Sequence, residues 1–145
     1  MRVTEIIPGL WQSDWPDLSW MPAHGIRAVL NVVPDEQRRC PAYPDGVVVH
    51  RLPFLDVPGS APPRAWMDAA ADIVADEGAK GGLLVHCLVG NNRSTIAVCA
   101  GLVRMRKCTP AAALATVSAV RAVAPAPEWV AAFCEWAEEA TACAC

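Results

Sequence analysis

Cys87, Arg93 and Ser94 lie close together in the run Gly82-Leu83-Leu84-Val85-His86-Cys87-Leu88-Val89-Gly90-Asn91-Asn92-Arg93-Ser94-Thr95. A thiol, a guanidinium and a hydroxyl at this spacing suit attack on a phosphate monoester. That dianion repels nucleophiles, so its charge must be bound while a reactive group is delivered to phosphorus. A free thiol, with an ordinary pKa near ~8.5, is mostly protonated at neutral pH. At a helix N-terminus, ringed by backbone N–H donors and beside Arg93, Cys87 is expected to react as the thiolate. The same amides, from Leu88, Val89, Gly90, Asn91 and Asn92, would bind the equatorial phosphoryl oxygens in the transition state. Gly90 lets the loop take backbone angles closed to other residues and turn its amides inward. Arg93 can grip two oxygens with a planar fork, which lysine cannot imitate. Ser94 can donate to the sulfur when it becomes a leaving group. The chemistry implied is hydrolysis through a thiol–phosphate intermediate.

The elements around this run suit the task. Leu83-Leu84-Val85 is a short apolar stretch of the kind that forms a buried strand. Thr95 to about Lys107 is apolar nearly all round until Arg104-Met105-Arg106-Lys107, which predicts a central helix with cations at its negative end. Strand, tight loop and helix N-terminus together aim N–H groups at one point. Upstream, strands are expected at Arg2–Ile7, Leu10–Gln12, Ile26–Val33 and Val47–Leu52, with a short helix over Ser13–Ala23. Pro34–Gly46 and Pro53–Pro63 read as loops, the second stiffened by four prolines. Helical periodicity runs over Ala65–Glu77, with Gly78 as the expected stop. Thr109-Pro110 caps a helix to about Val120, and Pro127–Ala140 is a final amphipathic helix. Strands crowd the first ninety residues and helices the last fifty, which predicts one α/β domain over residues 1–145. Its central sheet should be mostly parallel and flanked by helices.

Composition narrows the function classes. A hydrophobic fraction of 54% argues for a globular protein with a buried core, and a net charge of −3 offers no footprint for nucleic acid or an anionic membrane. The first twenty residues have no signal-peptide pattern, and Ile96–Val103 is far short of a membrane span. Seven cysteines, an odd number without paired spacing, argue against a disulfide framework and for the cytoplasm. Cys143-Ala144-Cys145 reads as a frayed end carrying two incidental thiols rather than a metal site, and no metal or other cofactor is expected.

The run Cys87 to Ser94 resembles the signature loop of the cysteine-dependent phosphatases, Cys-x5-Arg followed by Ser or Thr. The fuller His-Cys-x-x-Gly-x-x-Arg-Ser form is similar to the dual-specificity branch. Ile7-Pro8-Gly9-Leu10-Trp11 and Gly25-Ile26-Arg27-Ala28-Val29-Leu30-Asn31-Val32 resemble that family's opening strands. Arg121 with Ala124-Pro125-Ala126-Pro127 resembles its closing segment, although Ala126 stands where an Asn often precedes the last helix. The resemblance implies a dual-specificity-phosphatase-like fold, a phosphorylated protein or small phosphomonoester as partner, and a carboxylic acid to protonate the leaving oxygen.

Two carboxylates compete for that role. Trp15-Pro16-Asp17 spells the acid-loop tripeptide of tyrosine phosphatases, but lies 70 residues before Cys87. In the family's chain order the acid follows the strand that precedes the helix before the signature loop. Asp56, 31 residues before Cys87 on the loop leaving Val47–Leu52, has that place and is assigned as the general acid. Asp17 is then a helix-start residue. Asn91 and Asn92 are expected to brace the loop by local hydrogen bonds, and His86 to support the cysteine without acting as a base. Trp11, Trp15 and Trp20 are candidates for the pocket rim, and Arg38, Arg39 and Arg64 for reading acidic flanks, with packing and solvation their ordinary roles. Two other classes use a similar loop. A phosphate reader would bind without turnover, and sulfur transfer or arsenate reduction would give Asp56 no role or place the loop at the N-terminus.

Overall fold

The Leu83–His86 run forms the middle strand of a five-stranded sheet in a computed structural model that describes residues 1–143. The strands are β1 (Val3–Ile7), β2 (Leu10–Ser13), β3 (Ala28–Asn31), β4 (Val48–Arg51) and β5 (Leu83–His86), in spatial order β1-β2-β5-β3-β4. β2, β5, β3 and β4 run parallel, and β1 alone is antiparallel, joined to β2 by the Pro8-Gly9 turn. β3 and β5 are buried at every position, which is why both read as unbroken apolar runs rather than alternating ones. Four helices complete the chain: α1 (Arg64–Lys80), α2 (Arg93–Arg106), α3 (Pro110–Ser118) and α4 (Pro127–Cys143). The mostly parallel α/β architecture expected from the sequence is the one observed.

The α-helices pack on one sheet face. Ala28, Leu30, Leu83 and Val85 meet Val74 of α1, Ile96 and Val98 of α2, Val117 of α3 and Phe133 of α4 in one core. Val29 and Leu84 point the other way, into a smaller cluster with Met21 and Ile26. α1 and α2 approach closely because Gly101 has no side chain; a Cβ there would overlap the Val74 side chain. α2 is buried from Arg93 to Leu102, as its all-round apolar character requires.

Several elements differ from expectation, among them β3, which is shorter than Ile26–Val33, and α4, which passes Ala140. Ser13–Ala23 does not form one helix: the segment holds two short 3₁₀ turns, Leu18–Trp20 and Pro22–His24. Pro22 has no N–H to continue the first turn, and Asp17 caps that turn by accepting from the Ser19 amide. α1 runs through Gly78 to Lys80, because Gly78 is buried against Met105 and the cap falls at Gly81. α2 starts at Arg93, ahead of the expected Thr95. Cys145 lies outside the described residues, as does the Cys143 side chain, and with them the reading of that end. No described helix is long and apolar enough to cross a membrane.

Candidate active site

Parallel pairing brings Ser13, Asn31, Arg51 and His86 to one edge of the sheet, since Ser13 and Asn31 both pair with His86 and Asn31 with Arg51. Loops leaving the carboxyl ends of parallel strands converge there, the usual place for a ligand in such a sheet. The loop of residues 87–92 rises from β5 at this edge and feeds α2. Cys87, only 2% exposed, sits at its base. The Gly90 amide donates to Cys87 Sγ at 3.1 Å, and the Ser94 hydroxyl lies 3.2 Å from the same sulfur.

The loop is tied down from behind. Gln12 Nε2 reaches Ser94 Oγ at 3.1 Å and Thr95 Oγ1 at 2.9 Å, and Thr95 donates to the Asn91 carbonyl at 2.9 Å. Arg121 Nε donates to the Gly90 carbonyl at 3.1 Å, while its Nη1 serves Arg2 O at 2.9 Å and Thr4 Oγ1 at 3.0 Å. Burial, then the nearby Arg2, pulls Arg121 below the usual arginine range. Gly90 has φ +75°, and a Cβ there would run into Arg121 Nη2 and stand 2.7 Å from the Asp14 amide. Glycine at this position therefore answers both the left-handed backbone and the buried guanidinium behind it.

His86 is fully buried beneath the loop, its Nδ1 3.3 Å from the Cys87 carbonyl and its Nε2 2.6 Å from the Tyr43 hydroxyl. A carbonyl can only accept, so Nδ1 carries the proton and Tyr43 donates to Nε2; the tautomer is assigned from this network. Burial lowers the His86 pKa from 6.5 to about 4 and pushes the Tyr43 hydroxyl above the usual tyrosine range. His86 thus stays neutral and supportive. Because the unfolded chain binds this proton at pH 6.5 and the folded one only near 4, stability falls as pH drops through that window. Urea titration is expected to register a loss of up to roughly 3 kcal/mol from this group. His86→Gln should lessen the slope between those two pH values.

Arg93 is 3% exposed, and its Nη1 donates to Gln37 Oε1 at 2.7 Å and Phe54 O at 2.9 Å. Its Nε is buried without a partner among the described residues. A buried donor of this kind is costly unless something accepts from it, and an oxyanion held by the loop would do so.

Asp56 is half-buried, and its Oδ2 accepts from Asn92 Nδ2 at 3.0 Å. Its loop is docked by several ties. The Leu52 amide donates to Asn31 O at 3.0 Å, the Phe54 amide to Val32 O at 3.1 Å, and Trp66 Nε1 to Leu52 O at 3.0 Å. The Phe54 ring stands edge-on to Trp66 and Trp129. Asp17 is engaged elsewhere, its exposed carboxylate accepting from the Ser19 amide and hydroxyl, which lower its pKa.

Hydrogen bonds thus join Cys87 to Gly90 and Ser94, and separately Asn92 to Asp56, while Arg93 donates to the Phe54 carbonyl on the loop that carries Asp56. Leu88 contributes its carbonyl to the Trp15 amide at 3.2 Å, and Val89 is 69% exposed. The two asparagines brace the loop, but not locally. Asn91 exchanges hydrogen bonds with the Ala124 backbone at 2.6 and 3.1 Å, and Asn92 Oδ1 accepts from the Ala126 amide at 2.9 Å. Of the three candidate rim tryptophans, Trp15 stands edge-on to His86 with Arg38 stacked 4.2 Å over its ring. Trp11 and Trp20 pack against each other on the second cluster, and Arg64 pairs with Glu139. Gln12, Gln37 and Tyr43 were not singled out from the sequence, since each reaches the loop only through tertiary contact. Among the described residues, no group of three or more His, Cys, Asp or Glu side chains is arranged to hold a metal ion.

No family model matches the sequence, and no curated protein does. Solved structures do. Human DUSP28 superposes with a TM-score of 0.81 at 22% identity, over 96% of this chain and 95% of that one. PTPMT1 in complex with PI(5)P gives 0.85 at 20% identity, over 99% of both chains. Human tyrosine phosphatase-like serine/threonine/tyrosine-interacting protein gives 0.77 at 20% identity, over 98% of this chain and 97% of that one. Likeness of this degree along nearly the whole chain establishes the architecture, and the chain has the fold of the dual-specificity phosphatases.

Proposed function

We propose that this protein hydrolyses phosphomonoesters, on phosphorylated proteins or small molecules, through a phosphocysteine intermediate. The observation that carries the reading is the convergence of the Gly90 amide and the Ser94 hydroxyl on Cys87 Sγ at 3.1 and 3.2 Å, with Arg93, whose Nε has no partner among the described residues, close behind in the sequence. In the first step Cys87 sulfur bonds to phosphorus and the ester P–O bond breaks. Asp56 delivers a proton to the leaving oxygen as the loop amides and Arg93 hold the equatorial oxygens. In the second step Asp56 takes a proton from water, the water oxygen bonds to phosphorus, and the S–P bond breaks. Ser94 then donates to the sulfur, which leaves as thiolate, and inorganic phosphate is released.

Leu88 and Val89 bring no cation to the mouth, which favours a singly phosphorylated group over a polyphosphorylated one. The five cysteines with described side chains are all free, which fits the reducing cytoplasm as the proposed location.

The acid assignment has its own test. Asp56→Asn is expected to flatten the acid-dependent limb of the pH–rate profile and to lower kcat on an aryl phosphate by about 10²-fold. Asp17→Asn should leave the profile as it is. The reverse pattern would move the acid to Asp17 and overturn the assignment.

A further inference from the structure

Asn92 faces two ways, and both of its ends are fixed. Its Nδ2 donates to Asp56 Oδ2 at 3.0 Å, and its Oδ1 accepts from the Ala126 amide at 2.9 Å. Turning the amide over would set NH₂ against the Ala126 N–H and an oxygen lone pair against the carboxylate. The backbone donor at Ala126 therefore dictates that an N–H faces Asp56. The side chain is 9% exposed, so water competes little for either bond.

We propose that Asn92 is the positioning residue of the general acid, a role that rests on the phosphatase reading with Asp56 as that acid. An oxygen that already accepts an N–H is the poorer site for a proton. With Oδ2 held by Asn92, the proton of the acid form sits on Oδ1, the oxygen left free to face a leaving group. Asn92 thus selects which carboxyl oxygen carries the proton and where it points.

The neighbouring residue reinforces the arrangement. Arg93 Nη1 donates to the carbonyl of Phe54, two positions before Asp56, at 2.9 Å. The last residue of the anion loop and the first of α2 therefore grip the acid loop at two places. The acid is set relative to the phosphoryl group by the same turn of backbone that binds that group.

The test compares two esters that differ in their need for an acid. Phenyl phosphate has a basic leaving group and depends on proton delivery, whereas p-nitrophenyl phosphate depends on it far less. Asn92→Asp keeps an acceptor for the Ala126 amide but removes the donor to Asp56; Asn92→Ala removes both contacts. The measured quantity is kcat/KM for phenyl phosphate divided by that for p-nitrophenyl phosphate, a ratio in which the fraction of folded enzyme cancels. Both variants are expected to lower this ratio about tenfold, part of the 10²–10⁴ that an acid contributes. A change of less than about threefold in both, with the two esters slowed alike, would reduce Asn92 to a brace and overturn the role. Wild-type protein inactive toward both esters would instead overturn the phosphatase reading itself, and the role with it.

Discussion

Cys87→Ser is expected to remove turnover of aryl phosphates, by on the order of 10⁴-fold or more, while inorganic phosphate still binds. The substitution exchanges one atom. A serine hydroxyl is far harder to ionise than a thiol, so the Gly90 amide and Ser94 hydroxyl that meet at the sulfur would face a neutral, poor nucleophile. The rest of the cradle does not depend on sulfur. The loop is held from behind by Gln12, Arg121 and Thr95, and none of these touches the thiol. Binding should therefore survive the loss of chemistry. Turnover within about tenfold of wild type would sink the covalent route.

Arg93→Lys is expected to cost about 10²–10³-fold in kcat/KM, close to a full alanine substitution despite the retained charge. In the proposed reaction the guanidinium has two jobs at once. Its Nη1 is committed to Gln37 and Phe54 at 2.7 and 2.9 Å, leaving Nε and the rest of the fork for phosphoryl oxygens. One ammonium cannot hold both protein acceptors and present a planar pair of donors to phosphate. Because those acceptors lie on the Pro34–Gly46 and Pro53–Pro63 loops, the lysine variant should also loosen the acid loop. The loss should thus appear in kcat as well as KM; a change in KM alone would assign Arg93 to ground-state binding.

Much of the fold, and the local geometry of the Cys87 loop, is legible in the sequence. The apolar Leu83–Val85 run, Gly90, Arg93 and Ser94 form a short local pattern whose geometry follows from backbone constraints within a dozen residues. The order of elements then gave the parallel sheet. What the chain did not disclose depends on tertiary partners. Gln12 looks like any polar residue ending a strand, and only the fold puts its amide beneath Ser94 and Thr95. Tyr43 reaches His86 from 43 positions away in the sequence. Ser13–Ala23 carried helix punctuation, yet Pro22 and the Asp17 cap divided it into two turns. Gly78 looked like a helix stop because its burial against Met105 was not visible in the sequence. Asn91 and Asn92 read as local braces, since nothing nearby announces Ala124 and Ala126 as their partners.

The phosphocysteine can be sought directly. Wild-type protein mixed with a ³²P-labelled aryl phosphate and quenched in denaturant at alkaline pH within the first turnover should retain label that mild acid then releases as inorganic phosphate, and peptide mapping at alkaline pH should place it on Cys87. Label on another residue, or turnover with no labelled protein at any quench time alongside a Cys87→Ser variant that still hydrolyses the ester, would contradict nucleophilic attack by this sulfur.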